Sequence, residues 1–156
     1  MTWAATLAAL EREGIRVRPV SAPWFPFSAI TLGRTVLVQR DVVGTPRGAA
    51  TLLHEAVHAR DFARFGILLW LTYVLPFPVG PLSLRWLWEL RAYRESLRAL
   101  RELHGETRPA DVAWAVRQFT GRGYLWMLPF PRLVRRLLVR AGPAPGSGGG
   151  ARAAQR

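Results

Sequence analysis

The sequence predicts an α+β domain, mainly helical, with a small N-terminal β-sheet or hairpin. Three observations carry that reading. Residues 2–13, 84–103 and 133–140 repeat their apolar positions at three- and four-residue steps, the period of an amphipathic helix. Residues 15–20 and 28–38 are instead short runs rich in β-branched residues, set off by Gly, Ser and Pro. At 156 residues the chain has room for one core, larger than a mini-protein's, and for no second catalytic unit.

Taken in order, residues 2–13 carry Glu11, Arg12 and Glu13, too many charges for the core of a signal peptide. No signal peptide is expected, and the expected location is cytoplasmic with membrane association left open. Ile15 to Val20 can add one strand. Ala29-Ile30-Thr31-Leu32 and Thr35-Val36-Leu37-Val38, joined by Gly33-Arg34, read as a hairpin. The next helix is expected over residues 46–65. Thr45 can cap it, Pro46 suits its first turn, and from Ala49 no breaker follows until Gly66. Its uncharged residues Leu52, Leu53, Ala56, Val57 and Ala59 imply burial.

That helix contains His54-Glu55-Ala56-Val57-His58, which puts two of the chain's three histidines within one turn. Random placement would produce this H-E-x-x-H pattern with a probability of only about 0.003. Residues i and i+4 share a helix face with their Cβ atoms about 6 Å apart, so two imidazoles there can share one ion. Zinc takes histidine nitrogen at about 2.0–2.1 Å, and a catalytic site uses three protein ligands and leaves one position open. Glu55 projects about 100° round the helix from His54, beside the ion rather than on it, where a carboxylate can act as general base. The bland alternative is a core helix whose histidines bond backbone or each other, but adjacent buried imidazoles are costly without a shared partner.

Cysteine is absent, so a third ligand must be His, Asp or Glu. His104 lies about 22 Å along the helix axis from Glu89 and reads as a surface histidine. Asp61 follows His58 on the same face, but one straight helix rarely wraps three ligands around a tetrahedral ion, so it suits a supporting role behind a ligand. Within 84–103, Trp86, Leu90, Tyr93, Leu97 and Leu100 form an apolar stripe. Glu95 sits on the opposite face among Arg91, Arg94 and Arg98 and reads as a solvated ion pair. Glu89 borders the stripe beside Trp86, Trp88 and Leu90, where a lone carboxylate is unfavourable unless it meets a cation.

Gly66 to Leu84 carries no charge and is long enough to suggest a membrane span. A single crossing would leave His54 and His58 about 30 Å from Glu89, so a span and a shared metal exclude each other. The expected form is an apolar hairpin: 66–75 as a helix, a turn at Pro76 and Pro78, and a return over 79–84. It would lie in the core over the site or dip into a membrane surface. Leu75-Pro76-Phe77-Pro78 recurs as Leu128-Pro129-Phe130-Pro131, with a looser echo at Pro23-Trp24-Phe25-Pro26-Phe27. These turns are expected in the core, or as an apolar wall suited to apolar substrate side chains. Residues 133–140 form a basic amphipathic segment, read either as an interfacial anchor or as a terminal helix packed on the domain.

The motifs together resemble those of the gluzincin clan of zinc metallopeptidases, in which H-E-x-x-H on one helix is completed by a glutamate on a later one. Glu89-Leu90-Arg91-Ala92-Tyr93 is similar to the clan's E-x-x-A-D segment, which implies Glu89 as third ligand and Ala92 as the small residue that lets two helices approach. Tyr93 stands where the clan has an aspartate that steadies a ligating histidine, leaving that role to Asp61 or to the Tyr93 hydroxyl. Arg60 stands where an apolar residue is usual. The resemblance covers residues 28–104. It implies a zincin-like fold, one Zn2+ per chain on His54, His58 and Glu89, and peptide hydrolysis with Glu55 activating the water. An edge strand of the sheet would pair with an extended peptide. Tyr93, Tyr73 and Tyr124 stand as candidate oxyanion donors.

Residues 1–141 read as one domain and 142–156, rich in Gly, Ala and Pro, as a disordered tail. The net charge of +12 comes from arginine without lysine. Such a charge can attract anionic lipid, and peripheral membrane contact is expected through 66–84 and 130–140. Nucleic acid is not an expected partner, because no zinc knuckle, aromatic RNA-binding motif or recognition helix accompanies the charge. The expected partner is a peptide or protein substrate with apolar side chains. Two readings from other classes remain: a catalytically idle zinc-stabilised interaction module, and a basic peripheral membrane or nucleic-acid binder.

Overall fold

A computed structural model describes residues 2–21, 27–74, 84–121 and 126–139, apart from the side chains of Trp70 and Val74. Helix α1 (Trp3–Arg12) starts where the Thr2 hydroxyl accepts the Ala5 amide, an ordinary N-cap. Strand β1 (Arg16–Val20) follows. Strands β2 (Ala29–Leu32) and β3 (Thr35–Gln39) form the expected antiparallel hairpin, and its turn needs Gly33, whose φ is +64°. β1 pairs parallel to β3, giving the order β1-β3-β2, so among the described residues β2 is an outer strand.

Helix α2 (Pro46–Phe65) follows a short 3-10 turn over Arg40–Val42. Its first turn is built as the sequence suggests, with Pro46 at its start and the Thr45 hydroxyl accepting the Gly48 amide at 2.9 Å. Helices α3 (Ile67–Val74), α4 (Arg85–His104), α5 (Pro109–Thr120) and α6 (Pro131–Val139) complete the α+β chain. Helix α5 was not anticipated, although Val112, Ala115 and Phe119 mark its buried face at three- and four-residue steps behind Pro109.

Helix α2 is the middle layer. Leu52, Ala56 and Ala59 on one of its faces pack with Leu10, Ile15, Val36 and Val38 from α1, the following loop and β3. Across the helix, Ala50 and Leu53 meet Ala99 and Leu100 of α4. Helix α4 turns Leu90, Tyr93 and Leu97 onto Val112, Ala115 and Phe119 of α5 and onto Val134 and Leu138 of α6. Within α6, Val134 and Leu138 of the basic segment thus turn into the domain, while Arg132, Arg135 and Arg136 stay exposed. The Arg94 guanidinium closes the end of α6 by donating to the Leu137 carbonyl at 2.7 Å.

The α2–α4 crossing is tight because small residues line it. Ala92 and Ala99 are buried, and the Ser96 hydroxyl reaches the Ala50 backbone carbonyl at 3.3 Å. Of the expected apolar hairpin, α3 is the outgoing limb, and 75–83 lie outside the described residues, as do 22–26, Tyr124 and the tail 142–156. Among the described residues no helix is long and apolar enough to cross a membrane. In the second Leu-Pro-Phe-Pro copy, Leu128 is in the core while Phe130 is exposed, so only part of that turn is core.

Gly48 is where α2 meets the preceding turn, and a Cβ there would fall on the Val42 carbonyl oxygen, deep inside van der Waals contact. Gly48→Ala should therefore destabilise the protein by about 2 kcal/mol in urea denaturation, although alanine is the better helix former by about 1 kcal/mol. A gain in stability would show that the turn yields freely.

Candidate metal centre

Steps of about 100° per residue give α2 distinct faces. With Leu52, Ala56 and Ala59 turned to the sheet, His54 and His58 point towards α4, and Glu55 falls between, on the side of β2. Glu89, one turn into α4, meets the histidines there. Its Oε2 lies 3.3 Å from His54 Nε2 and 3.9 Å from His58 Nε2. One ligand atom from each of the three residues falls within 4.8 Å of the others.

All three side chains are buried, Glu89 to 1% exposure. Among the described residues, His58 Nε2 and Glu89 Oε2 have no hydrogen-bond partner. Buried polar atoms are nearly always paired, and two orphans beside a third ligand atom are what a divalent cation would satisfy. Two imidazole nitrogens and one carboxylate oxygen, with no thiolate, fit zinc in its catalytic form.

The surroundings orient these groups. The Tyr73 hydroxyl of α3 donates to Glu89 Oε1, and Arg85 Nε lies 3.7 Å from the same oxygen with its guanidinium 4.7 Å above the Tyr73 ring. Oε1 is thereby occupied and Oε2 left facing the imidazoles. Ser96 Oγ lies 3.4 Å from His54 Nδ1, so it can fix that ring's orientation. Tyr93 packs its ring edgewise on His54, with centroids 4.4 Å apart, between Trp114 and Phe119.

Other candidates fall elsewhere. Asp61 is buried, and its Oδ1 accepts from Arg91 at 2.8 Å. Arg91 is thus drawn away from Glu95, which keeps its Arg98 pairing at 3.0 Å. His104 ends α4, outside the group. Sequence reasoning passed over three contributors: Arg85, Ser96 and Thr31. Arg85 stands four residues before Glu89 and Ser96 seven after it, spacings that put all three near one helix face.

Glu55, itself buried, belongs to none of the ligand contacts. Its Oε2 accepts from Thr31 Oγ1 of β2 at 2.7 Å, and the same hydroxyl lies 3.0 Å from the Glu55 carbonyl oxygen. Two adjoining cavities, of about 160 and 370 Å3, share Phe27, Ala29, His54 and Glu55 in their walls. The first continues along Ile30, Phe62, Leu69, Tyr73 and Arg85, the second along Thr51, Tyr93, Trp114 and Gln118.

Burial opposes ionisation of Glu89, but the two imidazoles and the Tyr73 hydroxyl prevail and hold its pKa down, at about 2. Burial also opposes a charge on His54, yet the adjacent Glu89 carboxylate, helped by Glu55, raises its pKa above the usual histidine value. At His58 burial wins over Glu89 and the pKa is lowered. Compared with protein-family models, curated proteins and solved structures, the chain matches none.

Elemental analysis should find close to one zinc per purified chain, lost in Glu89→Ala and kept in Glu95→Ala and Asp61→Ala. Binding needs a neutral His54, so affinity falls as pH drops through that residue's raised pKa; His58, whose pKa is lowered, takes up its proton at lower pH, and Glu89 stays ionised down to about 2. Competition with a chromophoric chelator should show about a tenfold loss per pH unit once the pH is below the His54 pKa, the slope of one proton. A two-proton slope would mean that both histidines titrate together.

Proposed function

We propose that the protein is a zinc-dependent metallopeptidase, gluzincin-like in its ligands and zincin-like in its fold, with His54, His58 and Glu89 holding Zn2+ and Glu55 as general base. The observation that carries this reading is a fourth buried group, the Glu55 carboxylate, which faces the cleft beside the three ligand residues without joining them. Zinc bound there supplies a Lewis acid that polarises the scissile carbonyl and brings the pKa of water down to about 7.

The rest is the work of the chain. Thr31 holds the Glu55 carboxylate, which takes a proton from the attacking water and passes it to the amine nitrogen as the carbon–nitrogen bond breaks. Strand β2 lines the cleft, and its outer edge, unpaired among the described residues, offers backbone groups to an extended peptide. Ile30, Phe62 and Leu69 suit an apolar substrate side chain. Two cavities meeting at Glu55 let a chain continue on both sides of the cleaved bond. Tyr73 and Arg85 line the first cavity, where an oxyanion donor is needed, whereas Tyr93 borders the second.

Glu55→Gln should keep its zinc and lose about a thousandfold in hydrolysis of an unstructured protein substrate. A catalytically idle zinc module would show no change, because it would have no hydrolysis to lose. Thr31→Val should keep zinc as well and lose about tenfold, since it removes only the hydroxyl that orients the base.

A further inference from the structure

The two cavities that meet at His54 and Glu55 differ in size and character. The first, about 160 Å3, carries Ile30, Phe62 and Leu69 in its wall. The second, about 370 Å3, lies between α2 and α5. Thr51 and His54 stand one turn apart on α2, and Trp114 and Gln118 one turn apart on α5, so each helix presents a row of two residues to it. The Tyr93 ring packs edgewise on both His54 and Trp114, with centroids 4.4 and 5.4 Å away, and Phe27 adds a third aromatic ring to the wall. Among the described residues the side chains of Thr51 and Gln118 and the Trp114 indole N–H make no hydrogen bond, so these groups are not committed elsewhere in the fold.

We infer that the second cavity is the specificity pocket and takes a tyrosine side chain beside the cleaved bond; the inference rests on the peptidase reading for the class of ligand that enters. Three rings in the wall suit an aromatic side chain, which gains from edge and offset contacts with them. An apolar side chain of the same shape would displace water from Thr51, Gln118 and Trp114 Nε1 without replacing its hydrogen bonds. A tyrosine hydroxyl both donates and accepts, so it can meet the Gln118 amide, the Thr51 hydroxyl or the indole N–H. Charged side chains fit less well. An acidic one would lie near Glu55, the one acidic group in the wall, and a basic one near the Arg47 guanidinium, 5.2 Å from the Trp114 ring. With Ile30, Phe62 and Leu69 in the smaller cavity, the substrate is a peptide cleaved between a tyrosine and an aliphatic residue.

The test is binding of N-acetyl-tyrosine amide and N-acetyl-phenylalanine amide to the purified full chain, followed by NMR at the Trp114 indole N–H, whose resonance is identified by its loss in Trp114→Phe. The tyrosine compound should shift that resonance and bind about tenfold more tightly than the phenylalanine compound, the effect of one hydrogen bond. Gln118→Leu with Thr51→Val should bring the ratio to about one and leave phenylalanine binding, zinc content and circular dichroism as they are. Phe62→Ala, in the other cavity, should leave the ratio unchanged. The inference is overturned if the two compounds bind alike, if neither shifts the Trp114 resonance, or if the double variant keeps the preference. The peptidase reading is tested separately, by hydrolysis. Selective binding by a chain that cleaves no peptide would overturn that reading and leave the pocket's selectivity standing, whereas cleavage of peptides without a preference for tyrosine would overturn this inference alone.

Discussion

Two imidazoles and a carboxylate meet, buried, where α2 crosses α4, and the surrounding structure is arranged to keep them there. Each group alone would be unfavourable in that position. Together they hold Glu89 ionised, with the Tyr73 hydroxyl and the Arg85 guanidinium on its far oxygen. The arrangement tolerates little separation, because Glu89 must reach across from one helix to both histidines of the other. Ala50, Ala92, Ser96 and Ala99 keep the crossing thin. A bulky side chain at any of these would move Glu89 away from the two histidines.

The same geometry divides α2 among three neighbours. One face supports the sheet, one carries His54 and His58 to α4, and the residue between them, Glu55, is left at the strand that borders the cleft. Consecutive positions on a helix keep Glu55 close to His54 while turning it to a different neighbour. The Thr31 hydroxyl then restrains a carboxylate that the helix alone would leave free to rotate.

Much of this was legible in the chain because local chemistry sets it. Thr45, Pro46 and Gly66 bound α2, the Gly33 turn fixes the hairpin, and Glu89 stands out as a carboxylate on an apolar margin. What was not legible depends on approach between distant segments. Thr31 becomes a partner of Glu55 only because β2 lies against α2. Tyr73 reaches Glu89 only because α3 folds back on α4, and Ser96 matters only where the helices cross. The pairing of Asp61 Oδ1 with Arg91 was not legible, because the reach of the long Arg91 side chain is not conveyed by the one-dimensional pattern. Helix α5 shows a different limit, since three buried positions in twelve residues give a weak stripe.

Strand β2 is four residues long, and its outer edge is unpaired among the described residues. Open backbone donors and acceptors do not discriminate between a bound peptide and the same edge on another molecule. Leu32, 48% exposed at the end of that strand, adds an apolar contact to any such pairing. The shortness of β2 limits the ladder that two molecules could build, and their shared positive charge opposes the encounter. At high concentration and high ionic strength, where that repulsion is screened, the strand becomes the place from which ordered self-association would begin.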